Sequence, residues 1–304
     1  MLQQASPTAG DPRPKVRCRL IEPADIPAVV ALLVESVAYR PASYWQHGFD
    51  RLSDRSLPEG VPRFGYVLDH DGALVGVLLT IYSAVPDDPD ARLRCNLSSW
   101  YVKAAYRGLG TVMDSLAMRD RSVTYTNLSP AAPTIAMHEA RGFRRYCGGQ
   151  MLVVPALCRP GRGQAVRSLT WSGDPGIPDA LRTLVQDHLG YGCLCLLCTE
   201  AGQARVVILQ PMPLKVIRGV SWLPRLPVLQ MVYAPPVAEL ARWLGAIGRH
   251  LLRRGRPFLL LDTDAPLKNV VGRHVAGWRP RYARGPETVP VNDLTYSEFV
   301  IFGP

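Results

Sequence analysis

Trp100-Tyr-Val-Lys-Ala-Ala-Tyr-Arg-Gly-Leu-Gly-Thr-Val112 is where a run of strand-forming residues gives way to a glycine-bearing turn and then to a helix. Upstream, Arg92 to Val102 reads as a long strand. Downstream, Thr111 to Arg119 sets Val112, Met113 and Leu116 on one helical face. Lys103 to Gly110 between them is expected to be a loop. A strand, a glycine turn and a helix N-terminus form an anion cradle: free N–H groups point one way, the helix dipole adds positive potential, and glycine lets a ligand approach closely. A phosphate or pyrophosphate is the expected occupant, and a tight structural turn is the alternative. No Gly-Lys-Ser/Thr follows and the third glycine of a dinucleotide fingerprint is missing, so neither nucleotide motif is present.

Working outward, Val16 to Leu20 reads as a short strand, Glu22 to Val37 as a helix with proline near its first turn, and Ser43 to Leu52 as a second helix. Phe64 to Asp69 and Leu74 to Ser83 flank Asp69-His70-Asp71-Gly72, a hairpin signal. Beyond the glycine turn come a strand Val123 to Leu128, a helix Pro133 to Arg141 closed by Gly142, and strands Phe143 to Tyr146 and Met151 to Pro155. Pro160 to Gln164 is the candidate linker.

The second half repeats this order: a strand from Val166, a helix Pro178 to His188, and strands Cys193 to Thr199, Arg205 to Leu209 and Pro227 to Tyr233. A helix Val237 to Arg254, a strand Pro257 to Asp262 and a helix Leu267 to Ala276 follow. Arg141-Gly-Phe-Arg-Arg-Tyr146 and Ala276-Gly-Trp-Arg-Pro-Arg-Tyr282 are the tightest repeat marker, each read as a helix end running into a strand. Two copies of one α/β unit are expected.

The 304 residues carry 35 Lys+Arg against 25 Asp+Glu, a net charge of +10, and are 47% hydrophobic, a globular composition with room for two domains. Only four basic residues are lysines (Lys15, Lys103, Lys215, Lys268), and the arginines are scattered rather than massed in one tract. The charge favours polyanions, a role phosphorylated small molecules fill as well as DNA does, so nucleic acid is not favoured. No apolar run approaches the roughly 18 residues of a membrane span, and the polar start lacks a secretory core, so no membrane partner is expected. Seven cysteines without paired spacing suggest reduced thiols and a cytoplasmic location.

The order of elements around the glycine turn resembles the GNAT superfamily of acyl-CoA N-acyltransferases, whose loop Arg/Gln-x-x-Gly-x-Gly/Ala grips the pyrophosphate of coenzyme A. Arg107, Gly108, Leu109, Gly110 and Thr111 match the first five positions and Val112 departs at the sixth. Met137-His-Glu-Ala-Arg-Gly-Phe143 is similar to the family's late Tyr-Glu-x-x-Gly-Phe, which puts His138 where a tyrosine usually protonates the departing thiolate. The resemblance covers about residues 16 to 156. It implies a leader 1–15, an acyl-CoA-binding domain 16–158 and a degenerate domain 166–304: two tandem GNAT-like α/β domains, each a mixed, mostly antiparallel sheet flanked by helices. It also implies that Trp100, Tyr101 and Val102 line the pantetheine arm, with Asn127 nearby.

The implied activity is acyl transfer from acetyl-CoA, or another acyl-CoA, to a primary amine of a small molecule, with His138 catalytic and no metal required. A non-catalytic coenzyme A-binding protein and a basic nucleic-acid-binding protein are the rival readings. Glu35, Asp50, Asp54 and Glu139 are the candidate general bases, each equally readable as a solvated helix charge. Tyr39, Tyr44, Trp45 and His47 form an aromatic cluster that suits an acceptor site or a core. In the second half, Tyr233-Ala-Pro-Pro-Val237 has lost both glycines, and Arg273 falls opposite His138. Cys193-Leu-Cys-Leu-Leu-Cys198 suits a buried strand better than a metal site. Oligomeric state leaves no trace in the sequence.

Overall fold

The computed structural model describes residues 16–86, 88, 90–214 and 226–303; the expected leader 1–15 lies outside the described residues. The first half runs β1 (Val16–Leu20), α1 (Ile26–Ser36), α2 (Ala42–Asp54), β2 (Gly65–His70), β3 (Ala73–Ala84), β4 (Leu93–Val102), α3 (Gly110–Ala117), β5 (Thr124–Asn127), α4 (Ile135–Ala140) and β6 (Arg144–Val153). The second runs β7 (Ala165–Leu169), α5 (Arg182–Gly190), β8 (Leu194–Glu200), β9 (Gln203–Leu214), β10 (Leu226–Tyr233), α6 (Val237–Leu252), β11 (Phe258–Asp262), β12 (Gly272–Arg284) and α7 (Glu298–Ile301). The β2–β3 connection is the expected tight hairpin: Asp71 (φ 51°) and Gly72 (φ 88°) are both left-handed, as a type I′ turn requires.

The described strands form one sheet in the order β1-β2-β3-β4-β5-β12-β6-β11-β10-β9-β8-β7. Exchanging each strand with the one six places away and reading the row backwards reproduces it. β4 runs parallel to β5 and β10 parallel to β11, and every other neighbouring pair is antiparallel. The last strand of each half sits in the other's sheet: β12 pairs with β5, β6 pairs with β11, and the two lie side by side at the centre.

Helices cover both faces. Val29, Leu33, Trp45, Phe49 and Leu52 of α1 and α2 bury against Val77, Leu79 and Ile81 of β3. On the opposite face Met113 and Ala117 of α3 pack on Leu68 and Leu78. In the second half α6 contributes Leu240, Trp243, Leu244, Ile247 and Leu251 to a core with β9, β10 and β11. The chain before the candidate linker runs against this helix, since a Cβ at Gly248 would lie 2.2 Å from the backbone of Pro155 and Ala156, and one at Gly245 2.5 Å from Pro160.

Several expectations are corrected. Phe143 to Tyr146 and Met151 to Pro155 belong to a single strand, β6. Leu267 to Ala276 is not a helix, because β12 begins at Gly272 and takes the slot between β5 and β6. The repeat marker therefore does not mark one junction twice. Gly142 (φ 87°) caps α4, whereas Gly277 (φ 72°) lies within β12 at a register shift between Ala276 and Arg281. Arg273 pairs with Leu152 on β12 and is no helical counterpart of His138.

Candidate functional site

β4 and β5 pair at only three positions, Arg94 with Thr124, Cys95 with Tyr125 and Asn96 with Thr126, and separate beyond them. β4 is also irregular there: Ser99 takes φ 50°, and its register against β3 shifts between Val77 and Leu79. A bulge turns side chains and frees backbone groups from the ladder, so the strand departs from its neighbour just where the glycine turn begins.

Partners across two strands share a face. Asn96 stands opposite Ile81 and Ser98 opposite Leu79, so both lie on the α1/α2 face. Cys95 and Leu97 lie on the α3 face in a cluster with Tyr82, Phe143 and Met118. The opening between β4 and β5 thus joins two differently furnished faces.

On the α3 face, His138 of α4 is 4% exposed. Its ring lies 5.2 Å from Phe143 and 6.2 Å from the Trp100 indole. Asn127 Nδ2 donates to His138 Nε2 at 3.0 Å, which leaves the ring proton on Nδ1. Nδ1 and the Trp100 Nε1 are both buried without a hydrogen-bond partner. Burial pushes the His138 pKa down, so the ring is neutral at pH 7. The fold brings His138, Trp100 and Asn127 together, with Asn127 bonded to the histidine.

Tyr101 and Val102 are half-buried at the end of β4, and the Tyr101 hydroxyl donates to Glu35. The expected loop is a correction: Ala104–Leu109 is a 3-10 segment that runs directly into α3. The Tyr106 N–H bonds Lys103 O and the Gly110 N–H bonds Arg107 O, so part of the donor set is engaged internally. Arg107, Gly108 and Thr111 are exposed, Leu109 is half-buried, and Gly110 is buried with space for a Cβ only 3.0 Å from Trp100 Cζ2. Val112 is 48% exposed. Arg141, at the end of α4, pairs with buried Asp114 and donates to Thr111 O, tying the two helices together.

The α1/α2 face holds a carboxylate that sequence reasoning missed. Glu298 opens α7, and its N–H donates to Asn96 Oδ1 at 2.8 Å. Ser129 Oγ, just beyond β5, donates to Glu298 Oε1 at 2.5 Å, and the Ser98 hydroxyl of β4 bonds Ser99 Oγ at 3.1 Å. Glu298 therefore bridges the two diverging strands, through its N–H on one side and its carboxylate on the other, while remaining partly exposed. Surrounding protein raises its pKa, and the nearby Arg281 guanidinium opposes the rise. Arg281 is itself buried, ion-paired with Asp262 at 2.8 Å, and donates to Leu128 O. Nothing local in Tyr296-Ser-Glu-Phe299 marks Glu298 out; only the long-range docking of α7 does.

The expected bases are dispersed. Glu35 faces Tyr101 and Lys103, Asp50 accepts from Gln46, Glu139 accepts from the Tyr282 hydroxyl, and Asp54 is exposed. The aromatic cluster divides: Tyr44 and Trp45 stack with Phe302, while Tyr39 and His47 are exposed. Cys193, Cys195 and Cys198 are buried at the start of and along β8, with thiol pKa values pushed up by burial. A cleft of about 820 Å³ opens between the β3–β4 hairpin and α5, with Arg55, Ser83, Asp187 and Tyr296 among its walls.

No protein-family model matches the chain, and no curated protein matches it in sequence. Solved structures do. An acetyltransferase-like protein from Pyrococcus horikoshii aligns over 95% of this chain and 97% of its own at 15% identity, TM-score 0.52. A GCN5-related N-acetyltransferase from Kribbella flavida aligns over 89% and 71% at 13% identity, TM-score 0.52. The GCN5-related glucosamine N-acetyltransferase region of a fungal multi-domain GH3 β-N-acetylglucosaminidase aligns over 92% of this chain and 39% of that one at 13% identity, TM-score 0.58. The likeness is one of fold: the chain has the GCN5-related N-acetyltransferase fold.

Proposed function

We propose that the protein transfers an acyl group from an acyl-CoA, acetyl-CoA in the first instance, to a primary amine of a small molecule. The observation that carries this reading is the divergence of β4 from β5 at the Ser99 bulge, with His138 and the α3 N-terminus on one face and an open cleft on the other. The thioester end fits the residues present, because two buried donors, Trp100 Nε1 and His138 Nδ1, await an acceptor there. Trp100, Tyr101 and Val102 would hold the pantetheine arm, and Arg107 to Thr111 the pyrophosphate. Acetyl-CoA, when bound, supplies an activated carbonyl and a sulfur leaving group. His138, neutral and fixed by Asn127, offers its Nδ1–H to negative charge building on that side. The apolar surround of Phe143 and Trp100 keeps water from the same spot. The acceptor enters from the α1/α2 face through the cleft beside Tyr296. Seven free cysteines agree with a reducing, cytoplasmic setting.

Calorimetric titration of acetyl-CoA into the wild-type protein and into Gly110→Trp tests this. Micromolar binding that the substitution abolishes is expected, since even a Cβ at this position presses on Trp100 and a larger side chain drives the Trp100 indole into the path of the pantetheine arm. No heat from wild type at several acyl lengths sinks the reading. A coenzyme A-binding protein without turnover is the second reading, favoured by the burial of the catalytic candidate His138, which is 4% exposed. It predicts binding without coenzyme A release on any amine.

A further inference from the structure

We propose that Glu298, delivered by the second half of the chain, is the general base that takes the proton from the acceptor amine. The inference rests on the transferase reading above and goes beyond it by naming a catalytic residue and by building the site from both halves.

Three observations converge on this residue. The residue spans the diverging strands, its carboxylate hydrogen-bonded to Ser129 after β5 and its own N–H fixed by Asn96 of β4. It lies on the face opposite His138, because Asn96 and Ser98 share their face with Ile81 and Leu79 while the His138 neighbour Phe143 packs with Cys95 and Leu97. Finally, it has no ion-pair partner within contact distance among the described residues, unlike Asp262 and Asp293, which are taken by Arg281 and Arg94. A crowded, partly exposed carboxylate with a raised pKa takes a proton more readily than an ordinary surface carboxylate does.

Proton acceptance on one face and proton donation on the other suit a direct transfer. The ammonium form of the acceptor gives one N–H proton to Glu298, and the freed lone pair forms the C–N bond as the C–S bond breaks. The second N–H proton ends on the departing sulfur, and Glu298 returns its proton to solvent. The products are the amide, the thiol and one proton. The charged or titratable groups facing Glu298 are Arg281 of β12, which favours the carboxylate, and Tyr44 of α2.

The test compares wild type with Glu298→Gln, which keeps the shape and a hydrogen-bonding oxygen for Ser129. Acetyl-CoA binding is read by calorimetry, and coenzyme A release is read with an amino sugar, a polyamine, an aromatic amine and a dipeptide. We expect unchanged acetyl-CoA affinity and thermal midpoint, and a fall in kcat/KM of about 10²-fold or more. The acid limb of the wild-type pH profile should vanish, leaving a rate that rises with the free-amine fraction. A carbon-13 titration of glutamate carboxyls, assigned by loss of one signal in Glu298→Gln, should find this group above the ordinary range without any acyl-CoA present. A wild type that turns over while Glu298→Gln matches it in rate and pH profile overturns the base and leaves the transferase standing. A wild type that neither binds acetyl-CoA nor releases coenzyme A overturns both.

Discussion

Two glycines two positions apart have opposite structural meanings. Nothing lies within 4 Å of a Cβ built at Gly108, whereas one at Gly110 would press on Trp100 at 3.0 Å, tighter than ordinary packing. Gly108→Ala should be neutral or slightly stabilising, because it only narrows the unfolded ensemble. Gly110→Ala should cost about 1–3 kcal/mol and displace the indole from His138. Thermal midpoints and the near-ultraviolet tryptophan signal separate the two, and equal midpoints would contradict the packing described here. At this scale the sequence made the His138–Trp100–Gly110 side legible, since strand, glycine turn and late helix are all local patterns. Glu298 was not legible: a lone carboxylate near Tyr296 acquires meaning only from Asn96 and Ser129, which lie far away in the chain.

Among elements, α7 owes its position to a gap in α2. A Cβ at Gly48 would fall 1.9 Å from the Phe302 ring, so that glycine leaves a flat seat on which the ring meets Trp45 and Phe49. Arg51 of α2 adds hydrogen bonds to the carbonyls of Val300 and Ile301. Gly48→Ala should therefore unseat Phe302 and loosen the segment that carries Glu298, at a cost of about 1–3 kcal/mol. Faster amide exchange confined to α7 and the neighbouring turn of α2 is the expected readout; exchange unchanged in α7 would show that the seat is dispensable. Hairpins and amphipathic helices such as β2–β3 and α6 were readable because their signals are short-range. The misread helix at Leu267 to Ala276 shows the limit. Its spaced apolar residues Leu267, Val270, Val271 and Val275 suit a helix locally, yet β5 and β6 leave a vacant slot whose backbone groups only a strand can satisfy.

The whole molecule carries a pH dependence set by buried histidines. Burial pushes His188 down to about 4 and lowers His138 and His250 as well. Each holds its neutral form to lower pH in the folded protein than in the unfolded chain, which takes up protons near a pKa of about 6.5. The unfolded state thus binds more protons in between, so stability is fully present above about pH 6.5 and declines as the pH falls from there towards the folded values. For His188 alone the decline is on the order of 3 kcal/mol. Guanidinium midpoints measured at about pH 7.5 and about pH 5 should differ accordingly, and His188→Gln should flatten the difference. A wild-type midpoint that does not move would mean these rings are hydrated after all.

The crossed placement of β6 and β12 also governs the order in which the molecule can come into being. β6 ends at Val153, while the strand that separates it from β5 begins only at Gly272. Loop closure of that length adds little to the equilibrium cost, but it delays the pairing, and domains that fold one by one during synthesis cannot be the route here. On a ribosome, a nascent first half would carry β5 and β6 with open edges until residues 272–284 emerged. Such edges invite pairing with foreign strands, so until then the half-made chain is a client for a chaperone rather than a finished domain.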